Sequence, residues 1–281
     1  MRREPSRDSA SVARPTGVRA GGAPQALPRA TLLDNAVWAA LDGPHAHLAE
    51  RVGRAARYRP ETYAFAALAD PSDPAAWADL HTLVGPGNTV RIKPVERVPD
   101  GWQVVGGGEG VQLVGTALRA EPAPEAVRLG PADVPEILDL VARTRPGPFL
   151  RRTVEMGTYL GIRHEGRLIA LAGERLRLPG WTEISAVCTD PEHRGRGLAT
   201  RLVRAVAAGI RDRGDTPFLH AAADNARAIR LYESIGFTLR RRSRIVQVRA
   251  PGTSGAGRAL SVATRSARRS PTRPAAPDGR R

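Results

Sequence analysis

The residues best placed to do chemistry lie in Val187-Cys-Thr-Asp-Pro-Glu-His-Arg-Gly-Arg-Gly-Leu-Ala199. A strand pattern ends there, Pro191 interrupts it, and a Gly-x-Gly turn opens a helical pattern. Gly195 and Gly197 lack a Cβ, so the backbone can bend sharply and come close to a ligand. The helix that follows presents unsatisfied N–H groups and the positive end of its dipole to the turn. That is the chemistry of an anion site, suited to a phosphate or pyrophosphate. Arg194 and Arg196 add guanidinium forks that match phosphate oxygens. Leu198, Leu202, Val206 and Ile210 give the helix one buried face. A P-loop is excluded, because no Gly-Lys-Ser/Thr follows the glycines. The dinucleotide fingerprint is poor as well, with Thr200 where Gly or Ala is needed and His220 where an acid is expected. Taken alone, the two glycines fit a plain tight turn as well as they fit a ligand site.

A second motif, Asp224-Asn-Ala-Arg-Ala-Ile-Arg-Leu-Tyr-Glu-Ser-Ile-Gly-Phe237, changes that balance. Together with Glu183-Ile-Ser-Ala-Val-Cys-Thr-Asp-Pro-Glu-His-Arg-Gly-Arg-Gly-Leu-Ala-Thr-Arg-Leu-Val203, it closely resembles the acyl-CoA motifs of the GNAT acyltransferases, in the right order. The likeness is to two-lobed members with an FR47-like C-terminal domain, and it covers residues 125–250. Residues 31–120 resemble at most the degenerate N-terminal half of such members and carry no Arg-Gly-x-Gly loop. The resemblance implies a mixed α/β GNAT fold on a splayed, mostly antiparallel sheet. It implies transfer of an acyl group, expected to be acetyl, from acetyl-CoA to a primary amine, with no metal. Val187, Cys188 and Thr189 would offer backbone groups to the pantetheine arm. The N–H groups of Arg194, Gly195, Arg196, Gly197, Leu198 and Ala199 would hold the pyrophosphate. Asn225 would bond the pantetheine or cap its own helix, and Tyr232 would lie near the thioester sulfur.

An amine attacks a thioester only as the free base, so an ammonium must first lose a proton. With period-2 alternation, Glu183 shares a strand face with Ser185, Val187 and Thr189. Glu183 is therefore the expected general base, directly or through water, unless a bulge turns it to the other face. A backbone N–H near Val187 or Cys188 would stabilise the oxyanion. Tyr232 would protonate the departing thiolate. Glu174, on the neighbouring strand, is the rival base. Tyr232 also suits plain core packing, since Ile229, Tyr232 and Ile235 share a helical face. Cys188, the single cysteine, reads as a small packed hydrophobe rather than a covalent nucleophile. His45 and His47 form a His-x-His pair with no third ligand in sight. His220 is expected to pack between helices.

These residues need elements to hold them. The pattern over 125–250 reads β-α-α-β-β-β-α-β-α-β, with helices near 195–213 and 225–235 and Gly236 as a left-handed C-cap. Strands are expected at 159–163, 168–176, 182–189 and 217–221, with a last strand or hairpin over 237–249. In the first region, residues 73–84 suit a helix with Pro74 at its first position. Strands are expected at 89–92, 102–105 and 111–115, the last two joined through Gly106-Gly-Gly-Glu-Gly110. Residues 119–125, with two prolines, read as the linker between an N-terminal α+β lobe (31–120) and the GNAT domain (125–250).

The formal net charge of +15 raises a nucleic-acid reading. Residues 1–30 carry +4 and residues 251–281 carry +6, so the folded regions hold only +5. Both ends are rich in Pro, Gly, Ser and Ala and read as a disordered leader and a disordered Arg-rich tail. Among 43 Lys and Arg residues the one lysine is Lys93, a composition that looks like GC-rich coding bias. Specific nucleic-acid binding is therefore not expected. No membrane span or secretory signal is expected either, and the lone cysteine fits a cytoplasmic setting. The expected partner is the amine substrate, whether a small metabolite, an amino acid or a protein amine. Two other readings stand beside the enzyme: a catalytically inactive acyl-CoA-binding regulatory module, and a nucleic-acid-associated protein acting through its basic ends.

Overall fold

The computed structural model describes residues 30–252. The expected leader (1–30) and tail (251–281) lie outside the described residues, apart from Ala30, Pro251 and Gly252. The strands in chain order are β1 (Ala49–Val52), β2 (Ala55–Tyr58), β3 (Phe65–Leu68), β4 (Thr89–Ile92), β5 (Gln103–Val114), β6 (Val127–Leu129), β7 (Tyr159–His164), β8 (Arg167–Leu178), β9 (Trp181–Thr189), β10 (Thr216–Ala222) and β11 (Thr238–Arg249). The helices are α1 (Ala36–Leu41), α2 (Pro74–Val84), α3 (Val134–Thr144), α4 (Leu198–Asp212) and α5 (Ala226–Ser234). All eleven strands join one sheet in the order β1-β2-β3-β4-β11-β5-β10-β9-β8-β7-β6. Only β3–β4 and β9–β10 pair in parallel. No helix among the described residues is long and apolar enough to cross a membrane.

The sheet does not respect the proline-rich linker. β5 belongs to the first region, yet it lies between β10 and β11 of the second. Leu113 stands opposite Leu219 on one side and Leu239 on the other. Without β5, both neighbours would present unpaired N–H and C=O groups along an open edge. The first region therefore extends the same sheet instead of building a separate one.

The glycine run at 106–110 is not a hairpin turn. β5 passes straight through it, with Gly106, Gly107 and Gly108 opposite Gln247, Val246 and Ile245 of β11. At Gly107, with φ 142°, an added Cβ would lie 2.2 Å from the Ile245 carbonyl oxygen. Glycine serves here for close backbone approach. The second helix of the expected β-α-α-β order, which falls on residues 149–156, is only a 3-10 turn over Thr153–Met156, preceded by Pro146, Gly147 and Pro148.

Alternation along β8 shows how the faces are covered. Ala170 and Ala172 pack with Leu202, Val206 and Ile210 of α4, whereas Leu171 packs with Ile137 and Leu140 of α3. Phe218 of β10 packs with α1, while its neighbour Leu219 joins the α4 cluster. So α4 covers one face of the sheet, and α1 and α3 cover the other.

Two irregularities open the sheet. β9 and β10 pair only from Trp181–Ile184 against Thr216–Leu219. Past that point β9 stays with β8 and β10 stays with β5, so the two strands part. β9 also bulges: Ser185 faces Gly173 and Cys188 faces Leu171, leaving Ala186 and Val187 together against one residue of β8. Ala186 sits at φ 56°, a left-handed conformation that costs a residue with a Cβ about 1–2 kcal/mol.

Candidate active site

The bulge resets the faces of β9. Ile184 before it and Val187 after it both pack under α4, while Cys188 packs beside α3. The single face expected for Glu183, Ser185, Val187 and Thr189 is therefore broken.

From Thr189 the chain enters the glycine turn. Asp190 Oδ1 accepts from the Glu192 N–H at 3.2 Å, and Asp190 Oδ2 accepts from Arg143 of α3 at 3.1 Å, which ties the turn down. Gly195 and Gly197 take φ 80° and 73°. No atom lies within 4 Å of a Cβ built on either, so the requirement is for backbone conformation and not for room. Gly197 is the N-cap of α4 and supplies no capping side chain. The first N–H groups of α4 thus stand uncapped by any side chain at the start of a fifteen-residue helix. At the other motif, Asn225 Oδ1 caps α5 by accepting from the Ala228 N–H at 3.1 Å. α5 closes with Gly236 at φ 106°. Phe237 N–H bonds the Tyr232 carbonyl at 3.0 Å and Gly236 N–H bonds the Glu233 carbonyl at 3.1 Å, a Schellman ending.

The gap between β9 and β10 is a cavity of about 890 Å³. Val187, Cys188, Thr189, Arg194, Gly195, Gly197, Leu198, Ala199, Asn225 and Tyr232 all lie on its wall. Arg196 does not; its guanidinium lies 3.3 Å from His193 Nδ1. Tyr232 is buried edge-on against Phe237, with ring centroids 5.9 Å apart. Burial, with a smaller push from the Cys188 thiol, raises its phenol to about 12, so it keeps its proton at neutral pH. Burial likewise raises the Cys188 thiol to about 11, which makes it a poor nucleophile.

Glu183, the expected base, does not reach the cavity wall. It is fully buried, and both carboxylate oxygens are engaged. Arg175 donates from Nε at 2.8 Å and from Nη2 at 2.6 Å, and His220 Nδ1 lies 2.6 Å from Oε1. Burial alone would raise this carboxyl, but the Arg175 fork and then His220 outweigh it and hold it well below the usual range. The rival Glu174 is also off the wall, paired with Arg213 at 2.8 Å.

His220 lines the cavity in place of Glu183. It does not pack between helices. It sits one residue beyond the last β9–β10 pair, where the strands part. The Gln112 amide nitrogen lies 3.1 Å from His220 Nε2. That amide is oriented by the Leu33 carbonyl at 3.0 Å and by Arg240 at 2.8 Å, so it donates to the ring. The tautomer follows: Nδ1–H donates to Glu183 and Nε2 accepts. Burial, then Lys93, lowers the imidazole to about 4.

The first region completes the wall with Tyr63, Phe65, Arg91 and Lys93. Tyr63 and Phe65 stack at 4.7 Å, and the Lys93 ammonium lies 5.6 Å from the centre of the Phe65 ring. Burial pulls that ammonium down to about 8, with Glu183 opposing and Arg175 adding to the shift. Sequence reasoning missed Arg175, His220 and the whole N-terminal wall. The one available signal was the alternation of β10, which puts His220 on the same face as Phe218, the register partner of Glu183.

A family model described as FR47-like protein matches residues 159–246. The chain is 39% identical over 90 residues to the N-alpha-acetyltransferase RimI of Mycobacterium tuberculosis, and 47% identical over 57 residues to the mycothiol acetyltransferase of Thermobispora bispora. These alignments take in 30% and 20% of this chain, and it spans about half (56%) of the first relative and about a fifth (19%) of the second. A crystal structure from Novosphingobium aromaticivorans, of a protein assigned to the GNAT acetyltransferase family, superposes with a TM-score of 0.71 at 40% identity. The match covers 79% of this chain and 99% of that one. Identity at that level along the whole of the neighbour is more than a shared fold, and the chain belongs to the GNAT acetyltransferase family.

Proposed function

We propose that this protein moves an acetyl group from acetyl-CoA to a primary amine by direct attack. The observation that carries the reading is the end of β9–β10 pairing at Ile184 and Leu219, which opens a cavity running to the Gly195–Gly197 turn. Acetyl is the group named for both curated relatives, and the family uses acetyl-CoA as co-substrate.

In this reading the pyrophosphate rests on the N–H groups of 194–199, where the α4 dipole and Arg194 favour negative charge. The pantetheine follows Val187, Cys188 and Thr189 into the gap, with Asn225 beside it. The amine lone pair attacks the thioester carbon, the carbon–sulfur bond breaks, and Tyr232 gives its proton to the leaving thiolate. A backbone N–H of the bulge at Val187 or Cys188 meets the oxyanion. The proton of the amine passes to His220 Nε2 once the Gln112 N–H that this nitrogen accepts has moved off it. Glu183 serves as the residue that positions His220 and stabilises its charged form.

The test is a thiol-release screen with acetyl-CoA against small amines, amino acids and peptides, beside calorimetry with CoA alone. Heat on CoA binding and acetyl-dependent thiol release with at least one amine are expected. CoA binding without release for any amine would favour the regulatory-module reading, and no heat at all would remove the acyl-CoA site.

A further inference from the structure

Lys93 is the chain's single lysine among 43 Lys and Arg residues. It follows β4, is only 7% exposed, and lies on the cavity wall. Among the described residues its ammonium has no hydrogen-bond or ion-pair partner. Its one charged neighbour of opposite sign, Glu183, is already taken by Arg175 and His220. With the imidazole neutral, this end of the cavity presents the cations Arg91, Lys93 and Arg175, and the nearby Glu183 carboxylate lies behind the wall, already engaged by Arg175. A buried, unpaired cation is unfavourable unless something of opposite charge joins it.

The cofactor's phosphates are poor candidates for that role. Lys93 belongs to the Glu183 end of the cavity. The glycine turn begins beyond Thr189, six strand residues away, which is on the order of 20 Å. The partner must then come with the acceptor. The wall around Lys93 is the stacked pair Tyr63 and Phe65, which suits an apolar or aromatic body.

Resting on the acetyl-transfer reading, we infer that Lys93 binds a carboxylate of the acceptor, and that the acceptor is a small amine of amino-acid type with an apolar side chain. A peptide N-terminus, which lacks a carboxylate beside its amine, does not fill this position. Lysine supplies a compact point charge, whereas the larger arginine fork would demand two aligned acceptors.

The single lysine makes the test direct. Lysine labelled with ¹³C and ¹⁵N at the ε position gives one side-chain resonance from the whole chain. With CoA present, N-acetyl-L-phenylalanine, L-phenylalanine and acetate are titrated in, each against its amide. The carboxylates are expected to shift the resonance and raise the apparent pKa of Lys93, and the amides to leave both unchanged. In thiol release, Lys93→Met is expected to lower kcat/KM for L-phenylalanine about 10- to 100-fold relative to L-phenylalaninamide. Lys93→Arg should recover only part of that loss. A resonance unmoved by every carboxylate, or equal rates for carboxyl-blocked peptides, overturns the inference. So does an acetyl group found on Lys93 by intact-mass measurement. CoA heat separates these outcomes from failure of the acetyl-transfer reading itself.

Discussion

His220 Nδ1 and Glu183 Oε1 stand 2.6 Å apart, across the point where β9 and β10 stop pairing. The carboxylate is buried beneath Arg175 and His220 and the imidazole lines the cavity, so the pair takes a proton only through the ring. Glu183→Gln leaves Arg175 buried without its counter-charge. It should cost about 3–5 kcal/mol in urea unfolding and lower turnover, while CoA binding by calorimetry stays near wild type. His220→Asn should lower kcat as far with a smaller loss of stability. If His220→Asn turns over normally, the ring takes no proton in the reaction.

Tyr232→Phe tests the acid. The phenol accepts or donates no bond among the described residues, so stability should change by under about 1 kcal/mol. kcat should fall about 100-fold if the hydroxyl protonates the thiolate, with KM for acetyl-CoA little altered. A more acidic leaving thiol should restore part of the rate.

The glycines of α4 give opposite outcomes. Gly197→Ala forces a Cβ into φ 73° and should destabilise by about 1–2 kcal/mol while weakening CoA binding. Gly209→Ala lies mid-helix with open space around the new methyl, its nearest neighbour being Arg213 at 3.8 Å. It should stabilise by roughly 0.5–1 kcal/mol and leave CoA binding alone.

Stability should fall in acid before the carboxylates titrate. Burial lowers His45 and His220 from 6.5 to about 4. Between those pH values the unfolded chain takes up protons that the native state excludes. Stability is therefore full above pH 6.5 and declines by about 3 kcal/mol per histidine towards pH 4. Lys93, lowered from 10.5 to about 8, works in the same sense at higher pH, so stability rises between pH 8 and 10.5. Lys93→Met should abolish that rise and add roughly 3 kcal/mol at neutral pH. Urea midpoints at a series of pH values check both.

The glycine-turn end of the cavity was legible because it is written locally. The turn at Gly195 and Gly197, the Asn225 cap and the Gly236 ending each depend on a few adjacent residues whose backbone demands are fixed by type. The end around Glu183 and His220 was not, because it is assembled across the sheet. Arg175 meets Glu183 through a β8–β9 register shift, and His220 owes its place to a pairing that stops. The bulge at Ala186 defeated simple alternation, since alanine gives no sign of a left-handed backbone. The glycine run of β5 misled for a related reason. Its signal for a turn is the same as its signal for two backbones in contact, and only the partner strand distinguishes them.

The threading of β5 between β10 and β11 has a consequence for how the molecule can be dissected. A fragment beginning at residue 125 would inherit both neighbours of β5 but not the strand that zips them, and it should be recovered as aggregate instead of as a miniature enzyme. Heating the intact chain should then show one calorimetric transition, with the glycine-turn half and the aromatic wall melting together.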